Sequence, residues 1–267
     1  MNLETWYELF PACSRADINF LLCELLHLNK TDLVLIAEPD PQTTQKLRSW
    51  LDQLAQGLPP QYIAGRAWFY GLDFYVDERV LIPRFDTEVL VEAIVRYLKD
   101  NDRVLDIGCG SGAIAITLKH LIPNLDVYAT DISESALDVA RINAARHSCQ
   151  ICFQCADLFP DSPSSFDMIV SNPPYIPHDE YLLLDPMVRD HEPKQALLAD
   201  DGGLQYYKAI INKAKEHLEP SGFLAFEHGC SQQEQLLCLT KNAGFRTLEK
   251  GKDLSGRDRY LILQKRG

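Results

Sequence analysis

The chain has no excess of basic residues: 26 Lys and Arg stand against 38 Asp and Glu, a formal net charge of −12. Proteins that hold duplex nucleic acid through its phosphates carry a basic footprint. None stands out here, which counts against a DNA partner. The chain also lacks any apolar run near the roughly 18 residues that a membrane-crossing helix needs. Its first residues, Met1-Asn2-Leu3-Glu4-Thr5-Trp6, lack the basic-then-apolar pattern of a secretory signal. A cytosolic protein is expected. The seven histidines form no Ser/His/Asp or Cys/His grouping, so hydrolytic triad chemistry has no support. Cys149-x-x-Cys152-x-x-Cys155 invites a metal reading, but metal sites commonly need four ligands, and no second Cys or His pair sits at suitable spacing. The run reads better as a strand whose small apolar residues are thiols, free in a reducing cytosol. There is no internal repeat and no low-complexity segment.

What is present points to one large and one small unit, a natural division for 267 residues. Residues 1–70 read as a small helical bundle. Ile18, Leu21, Leu22, Leu25 and Leu26 recur at helical spacing, and Asp40-Pro41 offers an N-cap with proline at the first helical position for a helix that stops at Gly57. Residues 71–100 read as a hairpin-and-helix connector: Phe69–Val76 is aromatic and alternating, and Pro83–Glu88 leads into an amphipathic helix through Val91, Ile94, Val95 and Leu98. Residues 101–267 alternate strand and helix. Strand-like runs are 104–107, 126–130, 151–153, 168–170 and 223–227; helical ones are 113–121, 133–147, 204–218 and 232–243. Such alternation predicts an α/β fold, a mostly parallel Rossmann-like sheet covered on both faces. The last runs, 245–251 and 260–263, have no helix between them and predict an antiparallel closing hairpin.

Two motifs sit at strand ends of that sheet, where open α/β folds bind ligands. The first is Val104-Leu105-Asp106-Ile107-Gly108-Cys109-Gly110-Ser111-Gly112, a strand entering a glycine turn that lets the backbone approach a ligand closely. Asp131 ends the next strand, 23 residues after Gly108, where a carboxylate can accept from both ribose hydroxyls of an adenosine. Asp157 and Leu158 follow the third strand, at the height of an adenine ring. Gly108-x-Gly110-x-x-Ala113 also satisfies a dinucleotide fingerprint, so NAD stays open on the loop alone. Asp106, two residues before the first glycine, and the third glycine at Gly112 favour S-adenosylmethionine. The predicted cofactor-binding residues are therefore Gly108, Cys109, Gly110, Ser111, Gly112, Asp131, Asp157, Leu158 and Asn172.

The second motif, Asn172-Pro173-Pro174-Tyr175, follows the run Phe166–Ser171. It resembles the [Asn/Asp]-Pro-Pro-[Tyr/Phe/Trp] tetrapeptide of methyltransferases that alkylate planar nitrogens: adenine N6, cytosine N4 and glutamine amide. Gly57–Ile63, Leu81–Glu88 and Asp253–Arg259 are similar to one branch, the HemK/PrmC family, and the likeness spans essentially the whole chain. Phe85 departs from it, standing where the family pattern has proline, and bears on the local loop shape.

The resemblance implies a class I S-adenosylmethionine-dependent methyltransferase. It would act on the glutamine N5 of the Gly-Gly-Gln motif in class 1 peptide-chain release factors, with the helical unit docking the protein partner. Asn172 and Pro173 would grip the acceptor amide by its N–H bonds, with Tyr175 packed on its plane and Pro174 stiffening the turn. A DNA or RNA amino-methyltransferase is the alternative, disfavoured by the acidic balance. A non-catalytic binding module would need only one of the two half-sites. Residues 176–203, with His178, Glu180 and His191-Glu192-Pro193, read as a lid or acceptor-contact loop. Glu227-His228 reads as fold support.

Overall fold

In the computed structural model, residues 3–35, 40–162 and 165–266 are described; Met1, Asn2 and the terminal Gly267 of the segments read above lie outside them. Among the described residues four α-helices and a short 3-10 turn (Asp32–Leu35) open the chain, the helices being α1 (Leu3–Leu9), α2 (Arg15–Leu26), α3 (Pro41–Ala55) and α4 (Pro60–Ala64). Asp40 caps α3 by accepting from the N–H groups of Gln42 and Thr43, with Pro41 in the first turn, which satisfies donors that the helix cannot pair internally. The oily stripes of α2 and α3 meet over Ile18, Leu21, Leu22, Leu47, Leu51 and Leu54, joined by Trp6. Each fully buried aliphatic chain of this kind stabilises by about 1.5–3 kcal/mol relative to exposure.

The hairpin β1 (Ala67–Phe69) and β2 (Leu72–Phe74) turns at Tyr70-Gly71, both at positive φ, the hand that matches the twist of paired strands. Its Ala67, Phe69 and Phe74 belong to the same core as Val104 and Ala129 of the central sheet. The hairpin therefore packs on the sheet, and the Trp68 Nε1–H ties it to the bundle as well by donating to Glu24 Oε1 of α2 at 3.0 Å. Helix α5 (Phe85–Val95) follows. Phe85 occupies its first position after Arg84, the place where proline is best tolerated, so the helix starts there without one.

The central sheet contains β3 (Arg103–Ile107), β4 (Asp126–Asp131), β5 (Cys152–Cys155), β6 (Phe166–Ser171), β7 (Leu218–Glu227), β8 (Phe245–Lys252) and β9 (Asp258–Lys265). Its order is β5-β4-β3-β6-β7-β9-β8. The pairs from β5 through β7 are parallel, and β9 closes the edge antiparallel to β7 and β8. Helices α6 (Ala113–Leu121) and α7 (Glu134–Arg146) lie between the early strands, and four short helices lead to the long ones. They are α8 (His178–Tyr181), α9 (Pro186–His191), α10 (Lys194–Leu197) and α11 (Asp200–Gly203), followed by α12 (Gln205–His217) and α13 (Gln233–Asn242). The two sheet faces bury separate apolar clusters, so the middle strands read as continuous hydrophobic runs. Strand order reverses at β3: one connection runs outward to β4, and the chain later returns to place β6 on the other side. Ligands bind at such a switch point, beyond the carboxyl ends of the strands.

Candidate active site

Register decides what meets at that switch point. Ile107 of β3 is paired with Ser171 of β6, and the Ser171 hydroxyl donates to the Ile107 carbonyl at 2.8 Å. The next residues on these adjacent strands are Gly108 and Asn172, so the two sequence motifs leave the sheet side by side. Residues of both, Ile107, Gly108 and Gly110 from the first and Asn172, Pro173 and Pro174 from the second, line one cleft, which holds about 890 Å³ of non-protein space, part of it open to solvent.

On the glycine side, Gly108 and Gly110 hold φ of +71° and +53°, and a Cβ on either would meet no protein atom within 4 Å. Their bare backbone edges thus form a cradle open to the cleft. Gly112 serves packing instead: a Cβ there would lie 2.9 Å from Ile116 and 3.3 Å from Ala140. Asp131 braces the turn. One carboxylate oxygen accepts from the Gly110 N–H and the other from the Ser133 N–H, each at 2.9 Å. Burial raises its pKa while these N–H groups pull the other way. A carboxylate oxygen can accept more than one hydrogen bond, and Asp131 lines the cleft.

Asp157 and Leu158 line the far wall with Ala156. Leu158 adopts φ +73°, a left-handed conformation that costs an ordinary residue about 1–2 kcal/mol; the Thr130 hydroxyl holds it by donating to its carbonyl at 2.6 Å. Cys109 and Ser111 are buried behind the turn. Sequence reasoning passed over Asn143, which is fully buried. Its amide donates to the Ser111 carbonyl at 2.9 Å and to the Tyr75 carbonyl at 3.0 Å, pinning the glycine turn to the backbone just past the hairpin.

On the acceptor side, Asn172, Pro173 and Pro174 line the same cleft. The Asn172 Nδ2 donates to the Thr87 hydroxyl oxygen at 3.2 Å. No partner for Asn172 Oδ1 and no N–H bonded to the Pro173 carbonyl is found among the described residues. Two acceptor atoms a residue apart therefore remain available. Tyr175 is set from both ends. Its carbonyl accepts from Gln232 Nε2 at 2.9 Å; its hydroxyl donates to Glu227 Oε1 at 3.4 Å and accepts from Arg259 Nη1 at 3.4 Å. Arg259 in turn pairs with Asp253 at 2.8 Å and Asp86 at 3.4 Å. Burial, above all, and the nearby Glu227 push the Tyr175 hydroxyl well above the ordinary phenol range, so it stays protonated and able to donate.

The segment 176–203 is tied at its base, where the Ile176 N–H donates to the Leu197 carbonyl and the Ala199 N–H to that of Ile176. Its Glu192 is buried, accepts from the Ile82 N–H at 3.1 Å and pairs with Arg84. Pro193, Gln195 and Ala196 line the cleft opposite Arg79, Val80 and Leu81. This loop thus forms a wall of the site. His178 is exposed, beside Asp200. Cys152 and Cys155 lie exposed on β5.

The Methyltransferase small domain model matches residues 84–206, and the PrmC N-terminal domain model matches residues 12–65. A release factor glutamine methyltransferase of Geobacter sulfurreducens is 39% identical over 93% of this chain and 88% of its own length. That of Enterococcus faecalis is 40% identical over 92% and 91%. The chain belongs to the release factor glutamine methyltransferase family. The fold agrees at greater distance: a methyltransferase structure from Pyrococcus furiosus superposes with a TM-score of 0.57 at 20% identity, covering 74% of this chain and 91% of that one. In this member of the family, Thr87, Glu227, Arg259 and Asp253 are the residues at the acceptor end that sequence reading did not single out for the site. Thr87, Asp253 and Arg259 lay inside segments that carried the resemblance, but nothing in the linear sequence says that those segments meet.

Proposed function

We propose that the chain transfers a methyl group from S-adenosylmethionine to the side-chain amide nitrogen of the glutamine in the Gly-Gly-Gln motif of class 1 peptide-chain release factors. The observation that carries this reading is the pairing of Asn172 Oδ1 and the Pro173 carbonyl, two open acceptors at the lip of a glycine-floored cleft. An amide nitrogen is a poor nucleophile because its lone pair is delocalised into the carbonyl. Accepting both of its N–H bonds holds the nitrogen in place and raises its electron density.

The residues present fit the donor. Gly108 and Gly110 supply backbone without side chains, Asp131 keeps lone pairs for two ribose hydroxyls, and Asp157 and Leu158 flank the place of an adenine. Bound there, S-adenosylmethionine supplies an electrophilic methyl carbon on a positive sulfur. The protein contributes position: holding two reactants in line removes up to roughly 7–11 kcal/mol of barrier in the best-oriented cases. Tyr175 packs on the planar amide. The proton released by the methylated nitrogen passes to water, so no side chain is assigned as a base. On this reading residues 1–70 dock the release factor, residues 71–100 connect, and residues 101–267 carry the chemistry.

Mass spectrometry of a release factor incubated with enzyme and donor tests the proposal. One added methyl on the Gly-Gly-Gln glutamine is expected, and Asn172→Ala lowers its formation at least about a hundredfold with donor affinity held within about threefold. Label entering DNA and not the release factor would overturn it.

A further inference from the structure

The polarity of Asn172 matters to the reaction proposed above, because only the carboxamide oxygen can accept from a substrate N–H. A carboxamide can present either end, so something must choose. Thr87 is the immediate partner, and its hydroxyl oxygen receives the Asn172 Nδ2. A hydroxyl has one proton to give. Thr87 itself is buried in the first turn of α5, and the group beside it that its hydroxyl favours in ionised form is the Glu227 carboxyl. Glu227 ends β7 and is 1% exposed. Its Oε2 is buried with no hydrogen-bond partner among the described residues, while its Oε1 takes the Tyr175 hydroxyl. An ionised carboxylate accepts and never donates. Such a group directs the Thr87 proton toward itself, leaves the Thr87 oxygen free to accept, and so turns the Asn172 amine inward and its oxygen outward.

We infer that Glu227 is a positioning residue for methyl transfer: through Thr87 it fixes which end of the Asn172 carboxamide faces the substrate, and through the Tyr175 hydroxyl it fixes the ring that packs on it. The inference rests on the function proposed above. It also accounts for a carboxyl buried at a strand end with one oxygen on the Tyr175 hydroxyl and the other without a partner among the described residues, which fold support alone would not require. Packing alone would be met at less cost by an apolar residue. The backbone around it is held independently, since the Tyr207 hydroxyl donates to the Glu227 carbonyl at 2.9 Å.

Three variants test this on the full chain: Glu227→Gln, Thr87→Val and Thr87→Ser. The readouts are single-turnover transfer to a release factor, S-adenosylmethionine affinity by calorimetry, and the thermal unfolding midpoint. Glutamine can donate back to Thr87, so Glu227→Gln is expected to lower the transfer rate at least about tenfold with donor affinity within about threefold. Thr87→Val does the same, and Thr87→Ser, which keeps the hydroxyl, recovers most of the loss.

The pH profile separates positioning from mere packing. Burial raises the Glu227 pKa to about 7, against the pull of Thr87, Arg259 and Tyr175 and with the push of Asp86. The unaltered enzyme should therefore lose rate as pH falls through that region, and Glu227→Gln should lose that limb. Transfer by the unaltered enzyme with an unchanged Glu227→Gln rate, or with Thr87→Ser as impaired as Thr87→Val, would overturn the inference alone. No transfer to the release factor by the unaltered enzyme would overturn the functional reading and the inference with it.

Discussion

Gly203→Ala tests whether the acceptor shelf is as tightly built as the geometry implies. Gly203 ends α11 at φ +83°, and a Cβ there would sit 2.2 Å from the Tyr175 carbonyl oxygen and 2.3 Å from Gln232 Nε2. Ordinary contact needs more than a further ångström, and the nearer atom is backbone. The left-handed conformation costs alanine about 1–2 kcal/mol. Loss of the Gln232 bond to Tyr175 adds about 1 kcal/mol. A destabilisation of roughly 2–3 kcal/mol lowers the unfolding midpoint by about 5–10 °C in a chain of this size.

The larger effect should be functional. Tyr175 is two residues past Pro173, and displacing its backbone by about 1 Å misplaces the acceptor, which costs on the order of a hundredfold in rate. Transfer to a release factor, donor calorimetry and thermal unfolding together decide the matter. The expected pattern is a large fall in rate at saturating donor with donor affinity nearly unchanged. A variant that keeps its rate within threefold would refute the reasoning, because the contact it removes would then have no bearing on the acceptor.

Asp131→Ala should act on the other half of the site. It removes acceptors for two ribose hydroxyls, each worth about 1.5–3 kcal/mol to a charged partner, so calorimetry should register donor affinity weakened by about a hundredfold or more while the rate at saturating donor changes little. Asp106, buried under the glycine turn with one oxygen on the Ala115 N–H and the other without a partner among the described residues, has its pKa raised by burial to about 7. A carboxyl raised in this way contributes stability that is fully present below its unfolded value near 3.8 and is lost as pH rises through about 7. Asp106→Asn should therefore flatten the fall in stability between pH 5 and pH 8 by roughly 2–4 kcal/mol. The slope of denaturant-derived stability against pH is the readout, since the new amide N–H is itself unpartnered; an unchanged slope would mean that the carboxyl titrates elsewhere.

The alternation of apolar strands and amphipathic helices is local, and it was legible. Helix α6 and the strand boundaries near it follow from period and from the glycine turn alone, and Asp40-Pro41 announces α3 because capping is satisfied within four residues. The short helices α8 to α11 were not legible. Each is four to six residues long, too short to display a period, and they exist because Glu192 and the Ile176–Leu198 bridge hold their loop against the cleft. Asn143 gave no signal either, since a lone asparagine on a helix reads as solvated until the backbone it serves is known.

The two half-sites, glycine turn and Asn-Pro-Pro-Tyr, were set by the linear order of residues, because each is a contiguous strand end whose chemistry depends on its immediate neighbours. That they open into one cleft was decided by sheet topology, which pairs Ile107 with Ser171 across more than sixty residues of chain. The contacts that surround Asn172 and Tyr175 are likewise set only in three dimensions. Thr87, Glu227, Arg259 and Asp253 come from α5, β7, β9 and the turn before β9, and a hydrogen bond acts over about 3 Å, a distance that sequence separation does not encode.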